Sequence, residues 1–510
     1  MTNHLAKLHS AELEGIKAKL IEVEVDLNVG LHAFNIVGLA DKALGESRER
    51  VNSALKNSGA KPPNRENRKI TVNLAPADVK KTGAQYDLVI ALGYLVATGQ
   101  LAPFDASDKL FVGELALDGR IRPIAGALNI AELSAALGFH TLYLPAENAN
   151  EAAAVHNIDV VPLGTLTDAI DVLEGRRVIA PAVFEETVAV SRLAPDMGEI
   201  RGQEHAKRAL EIAAAGGHNL LMFGPPGVGK SMLAEALAGI LPELTRDEAI
   251  EITKVWSAAG LAPGGLIQSR PFRSPHQTAS LVSVVGGGSQ PRPGEISLAH
   301  RGVLFLDELP EFPKNILEAL RGPLERGVVH VARARGTLAF PAKFSLIAAM
   351  NPCPCGFAGD PERECRCTPH EILRYQKKIS GPLLDRIDLQ IKVQRLHVDD
   401  LRRPNAETAK SPLAKKRVEA ARERQAARLG SLGLRLNAEL SSRQIESTAN
   451  LTPEAEKFLG TLEGKHLSPR GYYRLMKTAR TIADLEASAV TDAPHLAEAF
   501  SYRIREEAAG

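Results

Sequence analysis

A glycine-rich loop in the middle of the chain has the residue types and spacing of a phosphate-binding loop. Its eight residues are Gly224, Pro225, Pro226, Gly227, Val228, Gly229, Lys230 and Ser231. An apolar stretch precedes the loop and an apolar helix is predicted to follow it, so backbone N–H groups and the helix N-terminus can both face an anion. We expect Lys230 to reach the β- and γ-phosphates of ATP and Ser231 to bind Mg²⁺.

Two later apolar stretches end in polar side chains that suit the same chemistry. Residues 302–306 are followed by Asp307 and Glu308. We expect Asp307 to hold Mg²⁺ and Glu308 to polarise the attacking water. Residues 343–350 are followed by Asn351, which we expect to position water near the γ-phosphate. The simpler alternative is that all three are ordinary polar residues at strand ends.

Two arginines are further candidates for contacting a nucleotide. Arg386 follows Asp385 and precedes Asp388, just before a predicted strand. We interpret it as an arginine finger that reaches the nucleotide of a neighbouring subunit, which requires a ring. Arg470 lies at the start of a predicted helix, and we interpret it as a second sensor of the γ-phosphate. The alternatives are a local ion pair of Arg386 with Asp385 or Asp388, and a solvated Arg470.

The four cysteines form one cluster in the sequence, at Cys353, Cys355, Cys365 and Cys367. Four thiolates at this spacing can close a tetrahedral Zn²⁺ site. The clustering fits a metal site in a reducing cytosol better than a disulfide framework. His370 is a possible substitute ligand, and the alternative is four free or redox-active thiols.

Composition limits the classes of function. The chain has 510 residues, a net charge of +1 and 4% aromatic residues. A dense base-stacking surface is therefore not expected, and any contact with nucleic acid must come from local basic patches. No secretory signal and no apolar stretch long enough to span a membrane is present in the sequence. We therefore expect a cytoplasmic protein with no membrane partner.

The pattern of elements divides the chain into an α/β region at 1–185, a linker at 186–200, a second α/β region with the nucleotide motifs at 201–394, and a helical region at 395–510. Predicted strands lie at 21–27, 69–76 and 140–145, with a hairpin at 113–124. Predicted helices lie at 86–99, 127–138, 412–430 and 466–488. A chain of this length is expected to hold two or three domains.

The stretches 270–280, 291–312, 348–356 and 380–389 resemble the YifB/ComM group of magnesium-chelatase-like AAA+ ATPases, and the resemblance extends over essentially the whole chain. It implies a P-loop AAA+ core with a parallel sheet and a C-terminal helical lid that carries the second sensor. It also implies a homohexameric ring. In related ring helicases, an insert and a hairpin grip DNA in the central channel.

These two elements correspond here to an insert at 256–300 and a hairpin at 326–340. The basic residues on them are Arg270, Arg273, His330, Arg333 and Arg335. Basic side chains on mobile loops suit contacts with DNA phosphates that do not depend on base sequence. The alternative is two solvated loops without a ligand.

The first region resembles the proteolytic domain of Lon-type enzymes. The position of the nucleophilic serine is taken by Ala84 or Gln85, and that of the catalytic lysine by Leu128 or Ile130. None of these side chains can act as a hydroxyl nucleophile or a base. We therefore predict a Lon-protease-like α/β domain without protease activity. A dyad of Ser47 or Ser53 with Lys80 has no support from the spacing.

The resemblance implies a helicase that drives branch migration in homologous recombination during natural transformation. Its expected partners are further copies of the chain, branched or single-stranded DNA, and a recombinase or other recombination proteins. Its expected cofactors are ATP, Mg²⁺ and Zn²⁺. One alternative is a magnesium-chelatase-type motor that remodels a protein partner. A further alternative is an ATP-dependent assembly module without motor action.

Overall fold

The computed structural model describes residues 5–39, 41–65, 67–186, 194–288, 290–333, 336–395, 410–462 and 468–503. It is a mixed α/β structure whose nucleotide motifs lie on a parallel sheet, with a helical region after it. Part of the predicted linker, residues 187–193, and the tip of the predicted hairpin, with Arg335, lie outside the described residues. No helix in the described ranges is long and apolar enough to cross a membrane.

The first region is built on a four-stranded sheet in the order β1-β2-β4-β3 and a parallel three-stranded sheet in the order β5-β8-β9. Its strands are β1 (Leu5–Glu14), β2 (Lys17–Val29), β3 (Ala33–Val37), β4 (Arg68–Ala75), β5 (Lys109–Phe111), β6 (Glu114–Leu115), β7 (Ile121–Arg122), β8 (Thr141–Pro145) and β9 (Asp159–Leu163). Its helices are α1 (Lys42–Gly45), α2 (Ser47–Asn57), α3 (Asp87–Ala97), α4 (Ala127–Ala136), α5 (Ala149–Ala152) and α6 (Leu166–Leu173).

The second region is a five-stranded sheet in the order β11-β14-β17-β10-β18, and every neighbouring pair in it is parallel. Its strands are β10 (Leu220–Phe223), β11 (Phe272–Arg273), β12 (Gly286–Gly287), β13 (Arg292–Pro293), β14 (Val303–Leu306), β15 (Val328–Arg333), β16 (Gly336–Pro341), β17 (Ser345–Met350) and β18 (Leu389–Lys392). Its helices are α7 (Glu204–Gly216), α8 (Lys230–Ile240), α9 (Arg246–Ala259), α10 (Leu281–Val285), α11 (Glu295–Leu298), α12 (Lys314–Ala319), α13 (Arg321–Arg326), α14 (Pro369–Gln376) and α15 (Gly381–Leu384).

The third region is helical and shares its apolar core with the parallel sheet. Its helices are α16 (Lys410–Leu429), α17 (Ser442–Thr448), α18 (Pro453–Thr461), α19 (Pro469–Leu485) and α20 (Ala493–Ser501). Ser468 precedes α19 as its N-cap, and its hydroxyl accepts a hydrogen bond from the Gly471 N–H. The C-terminal helices therefore pack on the second region.

The insert is narrower than the predicted 256–300. Helix α9 extends to Ala259 and ends at Gly260, and strand β11 of the core sheet lies inside the predicted range. The part of the predicted range that forms a separate hairpin is β12–β13, between helices α10 and α11. The prediction was too wide because β11 has only two residues, which is too short for hydrophobic alternation to be recognised.

Candidate nucleotide-binding site

The carboxyl ends of three adjacent strands bring the predicted nucleotide residues together. The P-loop follows β10, Asp307 and Glu308 follow β14, and Asn351 follows β17. Because these strands are parallel neighbours, their carboxyl ends meet at one edge of the sheet. The loop begins where only glycine fits, since a Cβ on Gly224 would lie 2.2 Å from the Val393 carbonyl oxygen.

Lys230 connects the P-loop with the first sensor position. Its Nζ donates to the carbonyl oxygens of Gly224 (2.7 Å) and Pro225 (2.9 Å) and to Asn351 Oδ1 (3.0 Å). Burial lowers the pKa of Lys230, and the negative charges of Asp307 and Glu308 oppose that shift. The ammonium group is therefore held at the strand edge by oxygens of both segments.

The two predicted Mg²⁺ ligands are in direct contact. Ser231 Oγ donates a 2.9 Å hydrogen bond to Asp307 Oδ2. A hydroxyl and a carboxylate oxygen are the hard ligands that Mg²⁺ prefers, so the pair fits this ion. Glu308 follows in the left-handed region, at φ 51°, which is uncommon outside glycine and costs free energy. Its side chain is exposed beside these ligands, as a water-polarising carboxylate needs to be.

Arg386 and Arg470 lie together at the opposite edge of the sheet. Both line a cavity of about 1140 Å³ whose wall includes Asn219 and Gly302, which immediately precede β10 and β14. Their guanidinium groups both bond to Oε1 of Glu325, that of Arg470 at 3.2 Å. Strands of four to six residues, about 13–20 Å long, separate this edge from the P-loop of the same chain.

Asp388 stabilises the loop that carries Arg386 but does not pair with it. Its carboxylate accepts a 3.0 Å hydrogen bond from the Asn219 N–H and lies 3.4 Å from Arg474 Nε. Burial raises the pKa of Asp388, but contact with His218 and the charges of His218 and Arg474 lower it to about 2. The acid is therefore ionised at neutral pH and joins the lid to the core.

The four cysteine sulfur atoms converge after Asn351, all within 4.8 Å of one another. Cys353 Sγ lies 3.3 Å from Cys355 Sγ and 3.7 Å from Cys365 Sγ. Among the described residues, His370 is not part of this group. The loop packs on the P-loop, because a Cβ on Gly356 would lie 2.7 Å from Pro226 Cδ. Sulfur atoms at this mutual spacing suit one tetrahedral metal ion.

Two of the predicted DNA-contacting arginines are engaged within the chain. Arg270 bonds to three backbone carbonyl oxygens and, at 3.0 Å, to Glu248 Oε2. Arg273 lies on β11 and forms a two-point contact with Glu295 at 2.6 and 2.7 Å. We expected both arginines on mobile loops. Instead, Arg273 lies on strand β11 of the core sheet and Arg270 just before it.

The hairpin β15–β16 carries the remaining described candidates. His330 and Arg333 are exposed, and Arg333 pairs with Gly336 next to the turn. The insert hairpin lies beside it, since a Cβ on Gly287 would be 3.6 Å from Val331 Cγ1. Arg292 on β13 is also exposed, but it was not among the residues predicted to contact DNA. Its position in a stretch rich in glycine and proline was the sequence signal that could have identified it.

The positions predicted to resemble protease catalytic residues lie in packed or hydrogen-bonded surroundings. Leu128 and Ile130 are buried in apolar clusters, and Gln85 donates to the Ala11 carbonyl oxygen and to Glu12. Burial raises the pKa of Glu12 to about 7, although hydrogen bonds from Tyr86 and Thr82 oppose the shift. Ser47 contacts Arg50 rather than Lys80.

A P-loop followed by paired carboxylates and a sensor asparagine, on a sheet in this strand order, defines the class of AAA+ ATPases. Comparison with known proteins narrows the class. Three family profiles match: "Magnesium chelatase, subunit ChlI" over residues 196–401, "Subunit ChlI of Mg-chelatase" over 23–148, and "Magnesium chelatase, subunit ChlI C-terminal" over 408–503.

Relatives match along almost the whole chain. Competence protein ComM of Haemophilus influenzae is 43% identical over 98% of this chain and 97% of its own length. Protein YifB of Escherichia coli is also 43% identical, with the same coverage of both chains. The magnesium-chelatase 38 kDa subunit of Rhodobacter capsulatus is 29% identical over 32% of this chain and 56% of its own. The chain belongs to the YifB/ComM family of magnesium-chelatase-like AAA+ proteins.

Proposed function

We propose that the protein is a hexameric ATP-dependent DNA translocase that promotes branch migration in homologous recombination, in the setting of natural transformation. The observation that carries the proposal is the pair of adjacent hairpins β12–β13 and β15–β16, which carry the exposed residues Arg292, His330 and Arg333. Cationic side chains that face a DNA backbone bind without reading sequence, as a translocase requires. The similarity to a protein named for competence supports the biological setting.

The residues at the carboxyl edge of the sheet have different roles in ATP binding and hydrolysis. Lys230 binds the β- and γ-phosphates, Ser231 and Asp307 hold Mg²⁺, and Glu308 orients and polarises the attacking water. Asn351 holds Lys230 and that water at the strand edge. Bound Mg²⁺ supplies charge that offsets the charge of the phosphates.

Arg386 and Arg470 act on the nucleotide of a neighbouring subunit. The sheet separates them from their own P-loop, and both lie in a basic cavity that opens between the core and the lid. A cationic group that enters a site from another subunit stabilises charge on the transferring phosphoryl group. Hydrolysis then depends on ring formation, and the main binding partners of each subunit are further copies of the chain.

The cysteine cluster holds Zn²⁺ in this proposal. Four sulfur atoms close together satisfy a closed tetrahedral site, which is typical of structural zinc. Such a site would stiffen the loop that packs on Pro226 of the P-loop. The ion has no open position for water and takes no part in hydrolysis.

The experiment that tests the proposal measures ATP hydrolysis without DNA, with single-stranded DNA and with a four-way junction. We expect DNA to raise kcat severalfold, with the junction most effective, and we expect Lys230→Ala to abolish hydrolysis in all three conditions. Robust hydrolysis that is indifferent to every DNA would contradict the proposal.

The alternative function is a motor that remodels a protein partner, as magnesium-chelatase-type AAA+ subunits are taken to do. The observation that favours it is the similarity of this chain to a magnesium-chelatase subunit. The two functions differ in what stimulates hydrolysis. A DNA-independent ATPase that co-purifies with a protein whose removal lowers kcat would support the alternative.

A further inference from the structure

Glu325 lies where three functional segments meet. It belongs to α13, and only Arg326 and Gly327 separate it from the DNA hairpin that begins at Val328. Its Oε1 accepts hydrogen bonds from Nη2 of Arg386, in the core, and from Nη2 of Arg470, in the lid. One carboxylate oxygen therefore binds both arginines that we propose to act across subunits.

The two contacts differ in how easily they can be exchanged. The Arg386 side chain is 7% exposed, whereas those of Arg470 and Glu325 are 56% and 47% exposed. Nε of Arg386 is buried and has no hydrogen-bond partner among the described residues, so this guanidinium keeps an unused donor in the present arrangement. Partly exposed ion pairs contribute little and are readily replaced. A phosphate offers arginine the same charge-assisted bonds that a carboxylate offers.

The link between Glu325 and the hairpin is short and constrained. Gly327 has φ 65°, and a Cβ there would lie 2.7 Å from the Lys343 side chain. Its amide donates a 2.8 Å hydrogen bond to Pro323, and its carbonyl accepts one of 2.8 Å from Ala342. A displacement of the hairpin is therefore transmitted to α13 instead of being absorbed in a loose loop.

We infer that Glu325 is a positioning residue that holds Arg386 and Arg470 away from the neighbour's nucleotide until DNA displaces the hairpin. The inference rests on the proposed across-subunit role of these arginines. When DNA binds to β15–β16, α13 moves and the carboxylate releases its two partners. They then bind the neighbour's phosphates, so hydrolysis becomes coupled to DNA.

The test compares Glu325→Gln with the wild-type full chain in ATP hydrolysis with and without a four-way junction. The amide is neutral and binds guanidinium weakly, so we expect kcat without DNA to rise about threefold or more and the stimulation by DNA to fall towards one. The KM for ATP should change little. Glu318→Gln is the matched control, since Glu318 pairs with Arg321 at 2.7 Å on the preceding helix and should leave both rates unchanged.

A wild-type ratio of DNA-stimulated to basal kcat in Glu325→Gln would overturn the inference. If Glu325→Gln does not fold, as shown by thermal unfolding, Glu325→Ala, which also removes the carboxylate, replaces it, and an unchanged ratio there has the same meaning. Arg386→Ala in the same assay separates the two proposals. Retained hydrolysis in Arg386→Ala refutes the across-subunit arginine itself, whereas abolished hydrolysis with a wild-type ratio in Glu325→Gln refutes only the role of Glu325.

Discussion

At the scale of single residues, contacts between strand ends organise the nucleotide site. Lys230 bonds to the P-loop and to Asn351, and Ser231 bonds to Asp307, so three strand ends are joined by side chains. Glu308, which follows Asp307, has a strained backbone conformation with a positive φ, unlike Lys230, Ser231, Asp307 and Asn351. Strain of this kind persists where surrounding structure enforces it, and it is typical of functional sites.

Replacing Glu308 separates nucleotide binding from hydrolysis. Glu308→Gln keeps the shape of the side chain but removes its charge, so it should bind ATP with near wild-type Kd and lose at least about 100-fold in kcat, the scale of general-base catalysis. Binding of a fluorescent ATP analogue and phosphate release measure the two effects. Glu311→Gln, which removes an exposed partner of Lys378, is the control. Normal hydrolysis in Glu308→Gln would show that another group polarises the water.

Glu12 makes the stability of the first region depend on pH. Its pKa is raised from 4.5 to about 7, so the folded state keeps a proton that the unfolded state releases in this window. The free energy of unfolding should therefore fall by about 3 kcal/mol as pH rises from 4.5 to 7 and stay lower above it. Glu12→Gln should lose this fall, whereas the exposed Glu14→Gln should keep it. Denaturant unfolding across this pH range makes the comparison, and parallel profiles for wild type and Glu12→Gln would refute it.

At the scale of elements, local motifs were predictable and distant partners were not. The P-loop and its helix follow from contiguous residues, and the structure has α8 start at Lys230. Strand β1 was missed because Ser10 and Ala11 are both buried, which breaks its alternation. Glu325 was missed because its partners lie 61 and 145 residues away in the sequence. Only the fold brings such pairs together.

The two hairpins should contribute to DNA binding independently of base sequence. Arg292→Ala and Arg333→Ala should each weaken binding similarly for all sequences and reduce the slope of log K against log salt by about 1, as expected for one lost phosphate contact. Fluorescence anisotropy at several salt concentrations measures this slope. Arg120→Ala, which removes an exposed arginine from the first region, is the control. An unchanged slope in both hairpin variants would exclude this surface.

The cysteine loop should hold about one zinc ion per chain, as four converging thiolates require. Cys365→Ser should lose most of this zinc, because three thiolates leave the coordination open. Elemental analysis of protein purified without chelators measures the content in both. Wild-type protein without zinc would contradict the proposal.

At the scale of the whole molecule, the first region packs against the second region. Lys254 of α9 pairs with Glu132 at 2.6 Å, and Arg246 donates to the Ala154 carbonyl oxygen at 3.1 Å. The turn between β1 and β2 reaches the hairpin β15–β16, where a Cβ on Gly15 would lie 3.6 Å from Phe340. The first region therefore supports the elements that we propose to contact DNA.

Mixed rings test whether sites are shared between subunits. Arg386→Ala alone and Lys230→Ala alone should both be inactive, the first with ATP binding intact. Mixing them places an intact P-loop beside an intact Arg386 at some interfaces, so hydrolysis should partly return. Steady-state phosphate release at several mixing ratios measures the recovery. A mixture as inactive as its components would count against an arginine that acts across subunits.

We propose that ATP hydrolysis moves DNA strands. This is tested by following a labelled strand of a four-way junction during its conversion to duplex products. We expect the wild-type protein to move the branch only with ATP, and we expect Lys230→Ala to bind the junction but leave it intact. A protein that hydrolyses ATP rapidly while the labelled strand stays in the junction would contradict the claim.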